Sequence, residues 1–372
     1  MVEFKTSVLQ EEKRCIFCGK PPNKKNNEHV VPKWLIELTG DPKREWHLGV
    51  RTSHPELKIR KYAADQFQFP ACEACNGRYA ALEGRAKAHV TNLLAGNDII
   101  AAAWDDLLDW FDKVRIGLWL GTMMLNKNWP IPEPNFFVDQ RIGQKDRCVL
   151  VYPGNPDAKL LNMTGASDPV FMYSPSAFML VVNGLIFVNV SYEFLLSARM
   201  GFPYPCKTTV KGARKYVEDF AATFNARPPF LRFNFYPPIL GIYQTILLEG
   251  ALDAEKYKPL VDHEYVASKR IGGAKTKICT VGPTGAKFHA GGDIIKQVDI
   301  REGDRKPLLA YYVRLFEYRQ RMLDQARDDF PDMRKLIKSM RRFNEDAIAQ
   351  AKDYDASRRA AGVAPSLAGK NL

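Results

Sequence analysis

Apolar positions run almost continuously from Ala177 to Val190 and are interrupted at Asn183-Gly184. Two short β-type runs joined by Asn-Gly predict a hairpin with a two-residue type I′ turn, and arms this apolar predict burial on both faces. A different period governs the stretch after Gly96. Trp104, Leu107, Leu108, Phe111, Val114, Leu118 and Leu125 recur with helical spacing, predicting a helix capped by Asn97 or Asp98 with one buried face. Its Trp and Met residues read as core filling. Upstream, residues 26–31 read as a strand, Pro32 opens a short helix that Gly40 closes, and residues 45–62 hold two β-like runs around Ser53-His54-Pro55, a hairpin insertion. A helix is expected from Asn76 to about Ala95, ended by Gly96. Downstream, a helix is expected around Lys211–Phe224, ending before Pro228-Pro229. Gly282-Pro283-Thr284-Gly285 reads as a hairpin turn, because the Gly-Lys-Ser/Thr register of a phosphate loop is absent. From Pro307 the pattern is helical, with Leu308, Tyr312, Leu315, Tyr318 and Met322 on one side. Pro331 starts a further helix to about Arg359, and 363–372 reads as a loose tail. The expected class is α+β, organised as 1–100, a helix plus β-rich region over 101–300, and a helical region over 301–372.

Composition adds direction. The 372 residues, 46% hydrophobic and 26% charged, exclude a largely disordered chain. A formal net charge of +12 favours polyanionic partners. No leader-like segment opens the chain and no run is long enough to span a bilayer, so no membrane partner is expected. The odd cysteine count of seven argues against a disulfide framework and for a reduced, cytoplasmic setting.

Four cysteines form two Cys-x-x-Cys pairs, Cys15/Cys18 and Cys72/Cys75. Each reads as a knuckle aiming two thiolates at one point, and two knuckles complete a closed, tetrahedral, structural zinc site. The competing reading is a pair of redox dithiols or unrelated buried thiols, but a redox Cys-x-x-Cys has no need of a second copy. Cys148, Cys206 and Cys279 lack such spacing and are expected as inert core thiols.

Between the knuckles runs Asn27-Glu28-His29-Val30-Val31-Pro32-Lys33-Trp34-Leu35, and Asn76 directly follows the second. In Glu28-His29-Val30-Val31-Pro32 and Cys72-Glu73-Ala74-Cys75-Asn76 the first hundred residues resemble the HNH endonucleases, a family with a ββα-metal active site. The resemblance implies an N-terminal ββα-metal nuclease domain that hydrolyses DNA. It implies His29 as general base, and Glu28 and Asn76 as holders of a catalytic Mg2+ or Mn2+. The chemistry is consistent: His takes protons near neutral pH, and a hard cation wants oxygen ligands. Adjacent strand residues point to opposite faces, however, so a shared target for Glu28 and His29 requires twist or a bulge. The family's middle Asn has no counterpart; Asp65, Gln66 or Gln68 is expected to supply an equivalent carbonyl oxygen. Glu83 lies seven residues after Asn76, about 10.5 Å along a helix, which suits a supporting or salt-bridge role.

Lys13, Arg14, Lys20, Lys24 and Lys25 surround the first knuckle, with Lys33 beyond, and are expected to track a phosphate backbone. Arg78 is expected to hold the phosphate from the other side, and His47 and His54 are minor candidates for phosphate contact. Arg334, Lys335, Lys338, Arg341 and Arg342 alternate with acids and read at least as well as a solvated face. The overall expectation is a metal-dependent HNH endonuclease acting on DNA, with a restriction, phage-defence or mobile-element role open and a homo-oligomer open. The alternative is a non-catalytic, zinc-containing nucleic-acid-binding module with a degenerate centre.

Overall fold

The computed structural model describes residues 13–48, 60–125, 133–200, 204–221, 240–244, 277–297, 308–329 and 331–360, less isolated positions within them. It mixes helix and sheet in the α+β manner. The expected turn at Ser53-His54-Pro55 and the tail at 363–372 lie outside the described residues.

Four short strands and two helices build the N-terminal part. Strand β1 (Asn27–His29) ends before Pro32, which stands at the N-cap of helix α1 (Lys33–Leu38). Strands β2 (Glu45–Leu48) and β3 (Arg60–Ala63) pair antiparallel as the inserted hairpin. A single turn over Ala64–Gln66 then leads into β4 (Gln68–Pro70), which pairs antiparallel with β1 in the register Glu28↔Phe69 and His29↔Gln68. Helix α2 (Glu73–Leu94) follows at once, beginning three residues earlier than expected because Cys72 is its N-cap.

Helix α3 (Ala101–Leu125) is the centre of the molecule, and its expected single buried face is a correction. Every residue from Leu107 to Met123 is buried, because the helix is covered on opposite sides. On one side it meets the β1–β4 pair so closely that a Cβ on Gly117 would stand 2.9 Å from Val30, and one on Gly121 2.5 Å from the Phe69 ring. Its start also differs. Ile99–Ile100 forms β5, and Asp98 accepts a hydrogen bond from the Gln297 N–H rather than capping the helix.

On its other side α3 covers a seven-stranded antiparallel sheet. After α4 (Val138–Arg141) come β6 (Arg147–Pro153), β7 (Leu161–Thr164), α5 (Pro169–Tyr173), β8 (Ala177–Val182) and β9 (Leu185–Val190). Helix α6 (Leu195–Met200) precedes a separate ribbon of β10 (Tyr204–Lys211) and β11 (Arg214–Ala221). Strands β12 (Leu240–Gln244), β13 (Cys279–Gly282) and β14 (Gly285–Phe288) complete the sheet in the order β14-β13-β12-β6-β9-β8-β7. The short β15 (Ile294–Ile295) pairs with β5.

The Asn183-Gly184 hairpin forms as expected, with Val182 opposite Leu185 and Asn183 at φ 50°. Both arms are buried because alternate residues face different layers. Phe178, Leu180 and Phe187 join the core around α3, whereas Met179, Val181 and Val188 face α7 (Leu308–Asp329) through Leu315 and Met322. Helix α8 (Arg334–Ala360) packs back along α7, and Arg341 pairs there with Asp324 and Glu345. Arg334, Lys335, Lys338 and Arg342 are exposed.

Two expectations fail in the ribbon. Of the helix expected around Lys211–Phe224, Arg214–Ala221 is strand β11, because Lys211 pairs with Arg214 and the Thr-Thr-Val run of β10 supplies a partner across the gap. Tyr216 and Phe220, four apart, imitate a helical period. Cys206 is an exposed thiol rather than a core one, placed at a register shift between Pro205 and Lys207; Cys148 and Cys279 are buried as expected. Cys279 Sγ lies against the Thr280 carbonyl, and burial pushes its thiol up to about 12. Gly282 pairs with Gly285, as the hairpin reading requires.

Candidate functional site

The cysteines are gathered first by backbone. The first knuckle turns on Gly19 N–H donating to Cys15 O at 2.9 Å, and Ile16 N–H donates to Pro70 O at 2.9 Å, tying it to β4. Cys72 and Cys75 occupy the start of α2, where the helix N-terminus favours negative charge. The four Sγ atoms all lie within 4.8 Å of one another, with 3.8 Å between Cys18 and Cys72. Tetrahedral zinc at Zn–S distances of about 2.3 Å spaces its sulfurs about 3.8 Å apart. The quartet therefore fits a metal ion such as zinc. Burial pushes the Cys72 thiol up to about 11, aided by Cys15 and Cys18, and moves Cys75 in the same direction. Cys18, against its burial, is lowered by hydrogen bonds from the Lys20 backbone and the other thiols. The mutual repulsion that helps to raise Cys72 and Cys75 is what a bound dication would remove, with release of thiol protons. Among the described residues no second group of three or more His, Cys, Asp or Glu side chains converges in this way.

His29 lies at the end of β1, half-buried. Its Nε2 stands 3.1 Å from the Asp65 carbonyl oxygen and 3.0 Å from the Gln68 amide nitrogen, which itself donates to that carbonyl at 2.8 Å. With the proton on Nε2, His29 donates to Asp65 O and the lone pair sits on Nδ1, which has no partner among the described residues. With the proton on Nδ1, Nε2 accepts from Gln68 instead. Of the three stand-ins expected for the middle Asn, Asp65 contributes its main-chain carbonyl and Gln68 its amide, while Gln66 is exposed on the intervening turn.

Glu28 turns the opposite way. Strand alternation is not relieved: Glu28 is 6% exposed and its Oε1 accepts from Lys113 Nζ at 2.7 Å. The same ammonium donates to Glu83 Oε1 and reaches the carbonyls of His29 at 3.1 Å and Val30 at 3.3 Å. Burial works against the Lys113 charge, but Glu83 and Glu28 more than restore it and raise its pKa. Burial and the neighbouring Glu28 push the Glu83 carboxyl up, against the pull of Lys113. As the expected ligand of Mg2+ or Mn2+, Glu28 does not fit, because a fixed internal cation already takes its carboxylate. Asn76 is half-buried in the first turn of α2, its N–H donating to Cys72 O at 2.9 Å.

No family model matches the chain, and no curated protein or solved structure matches it.

The remaining expected contacts divide. Arg78 is engaged by both oxygens of Asp139 in α4 at 2.6 Å, and Tyr79 OH donates to Asp139 at 2.7 Å. That carboxylate, rather than a phosphate, is what Arg78 holds here. Lys24 pairs with Glu73 at 2.8 Å and Lys33 with Glu37 at 3.7 Å, all exposed. Lys13 and Lys20 are exposed and Arg14 is half-buried. Lys25 and His54 lie outside the described residues, and His47 is placed in β2 by its backbone. Lys113 is the buried charged residue against strand β1 that the sequence pattern does not reveal. It is a polar residue inside an apolar helical run, 84 residues beyond His29, and no local spacing links the two.

Proposed function

We propose that the chain is a nuclease of the HNH kind that hydrolyses DNA phosphodiester bonds, with a structural zinc held by Cys15, Cys18, Cys72 and Cys75. One observation carries the reading: His29, at the end of an antiparallel strand pair that leads straight into a helix, rests its Nε2 on the Asp65 carbonyl and leaves Nδ1 unpartnered among the described residues. In that tautomer Nδ1 accepts a proton from the attacking water as its oxygen bonds to phosphorus, the Asp65 carbonyl steadies the Nε2–H as the ring becomes cationic, and the P–O3′ bond breaks with the leaving 3′ oxygen taking a proton from solvent. Gln68 shares the carbonyl and limits rotation of the ring. Glu28, its Oε1 held by Lys113, does not fit the expected ligand of Mg2+ or Mn2+. The zinc chemistry is structural: four thiolates clamp the first knuckle to the start of α2.

The occupied Glu28 also favours a second reading, a zinc-containing nucleic-acid-binding module without catalysis. Plasmid nicking separates the two. His29→Ala is expected to lower nicking at least about 100-fold, the low end for a general base, with zinc content, melting temperature and DNA binding retained. Cys72→Ser is expected to lose zinc and melt early, so its inactivity has another cause. Nicking by His29→Ala at the wild-type rate would transfer the case to the binding module.

A further inference from the structure

We propose that Lys113 is a positioning residue of the site, anchoring the strand that carries His29, and that Glu28 is its counter-ion rather than a cation ligand. The inference rests on the hydrolytic reading of His29. Strands β1 and β4 are three residues each, and so short a ladder does not by itself hold a catalytic side chain to the tolerance of about 0.5 Å that proton transfer requires. The Asp65 carbonyl restrains the ring but not the backbone beneath it. Lys113 restrains the backbone. Its ammonium is shared among four oxygens, two of them the successive carbonyls of His29 and Val30.

The arrangement is costly unless it is complete. Two neighbouring buried carboxylates need the cation between them, so removing Lys113 alone leaves their charges uncompensated, whereas removing one acid still leaves Lys113 a partner. Glu28 and Glu83 come from β1 and α2, and Lys113 from α3. One ammonium thus joins three elements directly behind His29. The helix is held at that distance by Gly117, one turn further on, where a side chain would strike Val30.

The test uses the full chain in three forms: wild type, Glu28→Gln, and Lys113→Met/Glu28→Gln/Glu83→Gln. The triple variant neutralises the cluster together and so avoids the repulsion that Lys113→Met alone would create. Glu28→Gln is expected to keep the Mg2+ concentration for half-maximal nicking within about twofold of wild type. The triple variant is expected to melt within a few degrees of wild type, with kcat at least about tenfold lower and KM within about threefold. A rise of about tenfold or more in the Mg2+ requirement of Glu28→Gln would restore Glu28 as a ligand and overturn the proposal. So would a triple variant that nicks at the wild-type rate, or one that loses kcat only in proportion to lost folded protein. Two readouts do not depend on cutting: Mn2+ binding by electron paramagnetic resonance, and the His29 ring signals in long-range 1H–15N spectra. A wild type that cuts nothing refutes the hydrolytic reading. Lys113 is then judged by these signals alone: equal Mn2+ affinity in Glu28→Gln with displaced His29 signals in the triple variant upholds the anchor, and any other combination rejects it.

Discussion

Both carboxylate oxygens of Asp112 are occupied inside α3, far along the chain from the cysteines. Oδ1 accepts from Arg115 at 2.6 Å, and Oδ2 accepts from Arg147 at 2.9 Å and from the Gly143 N–H at 2.8 Å. Burial alone would raise this carboxyl, but Arg115, Arg147 and Arg141 with the Gly143 N–H hold it down to about 2. A depressed folded-state pKa contributes stability that is present above the unfolded value of about 3.9 and is lost as pH falls through about 2. Asp112→Asn is therefore expected to cost about 3 kcal/mol or more at pH 7 by leaving the buried Arg115 without its anion and Arg147 with one carboxylate, Asp109, in place of two. Melting curves at pH 7 and pH 3 check this: the gap between wild type and variant should narrow at pH 3. A constant gap would assign the loss to packing. Residues of this kind are hard to find in a sequence. The cysteine quartet and His29 announce themselves by spacing and neighbours, whereas Asp112, Arg147 and Lys113 acquire their meaning chiefly from partners 30 to 97 residues away.

At the scale of elements, the contact between α3 and the β1–β4 pair depends on small residues. Gly121 sits where a Cβ would stand 2.5 Å from the Phe69 ring, and Phe69 is wedged edge-on against Phe67 with centroids 4.7 Å apart. Gly121→Ala is expected to destabilise by about 1–3 kcal/mol through overpacking, although alanine favours a helix more than glycine does. Thermal or denaturant unfolding measures the sign directly, and a stabilised variant would show that Phe69 can yield. Helix propensity and close packing therefore compete at one position, and only the second requires knowledge of the fold. The same division explains which elements are legible. The Asn183-Gly184 hairpin carries its turn and both arms in one continuous stretch. The ribbon at Tyr204–Ala221 deceives in its second half, because strand β11 shows an apolar repeat of four and reveals itself only against β10. The α3 helix is legible as a helix, but its burial on opposite sides is not, since that requires the sheet and the N-terminal strands together.

For the whole molecule, the decisive fact is that α3 belongs to two neighbours. The core cluster that begins with Cys15, Ile16 and Phe17 continues through Trp104 and Trp110 into Phe178 and Phe187 without a break at residue 100. A fragment of residues 1–100 contains all four cysteines, His29, Glu28 and Glu83, and is expected to bind zinc while lacking fixed tertiary packing. Near-ultraviolet circular dichroism and dye binding to exposed apolar surface test that expectation, and a sharp cooperative melt of the fragment would contradict it. The consequence reaches into how such a unit can be moved between proteins. A graft or a recombination event that cuts at residue 100 would inherit the two acids and leave behind the one cation that makes them compatible. Portability here turns on a lysine outside every recognisable motif, and a cut just past the helix that carries it would still divide the core shared with Phe178 and Phe187.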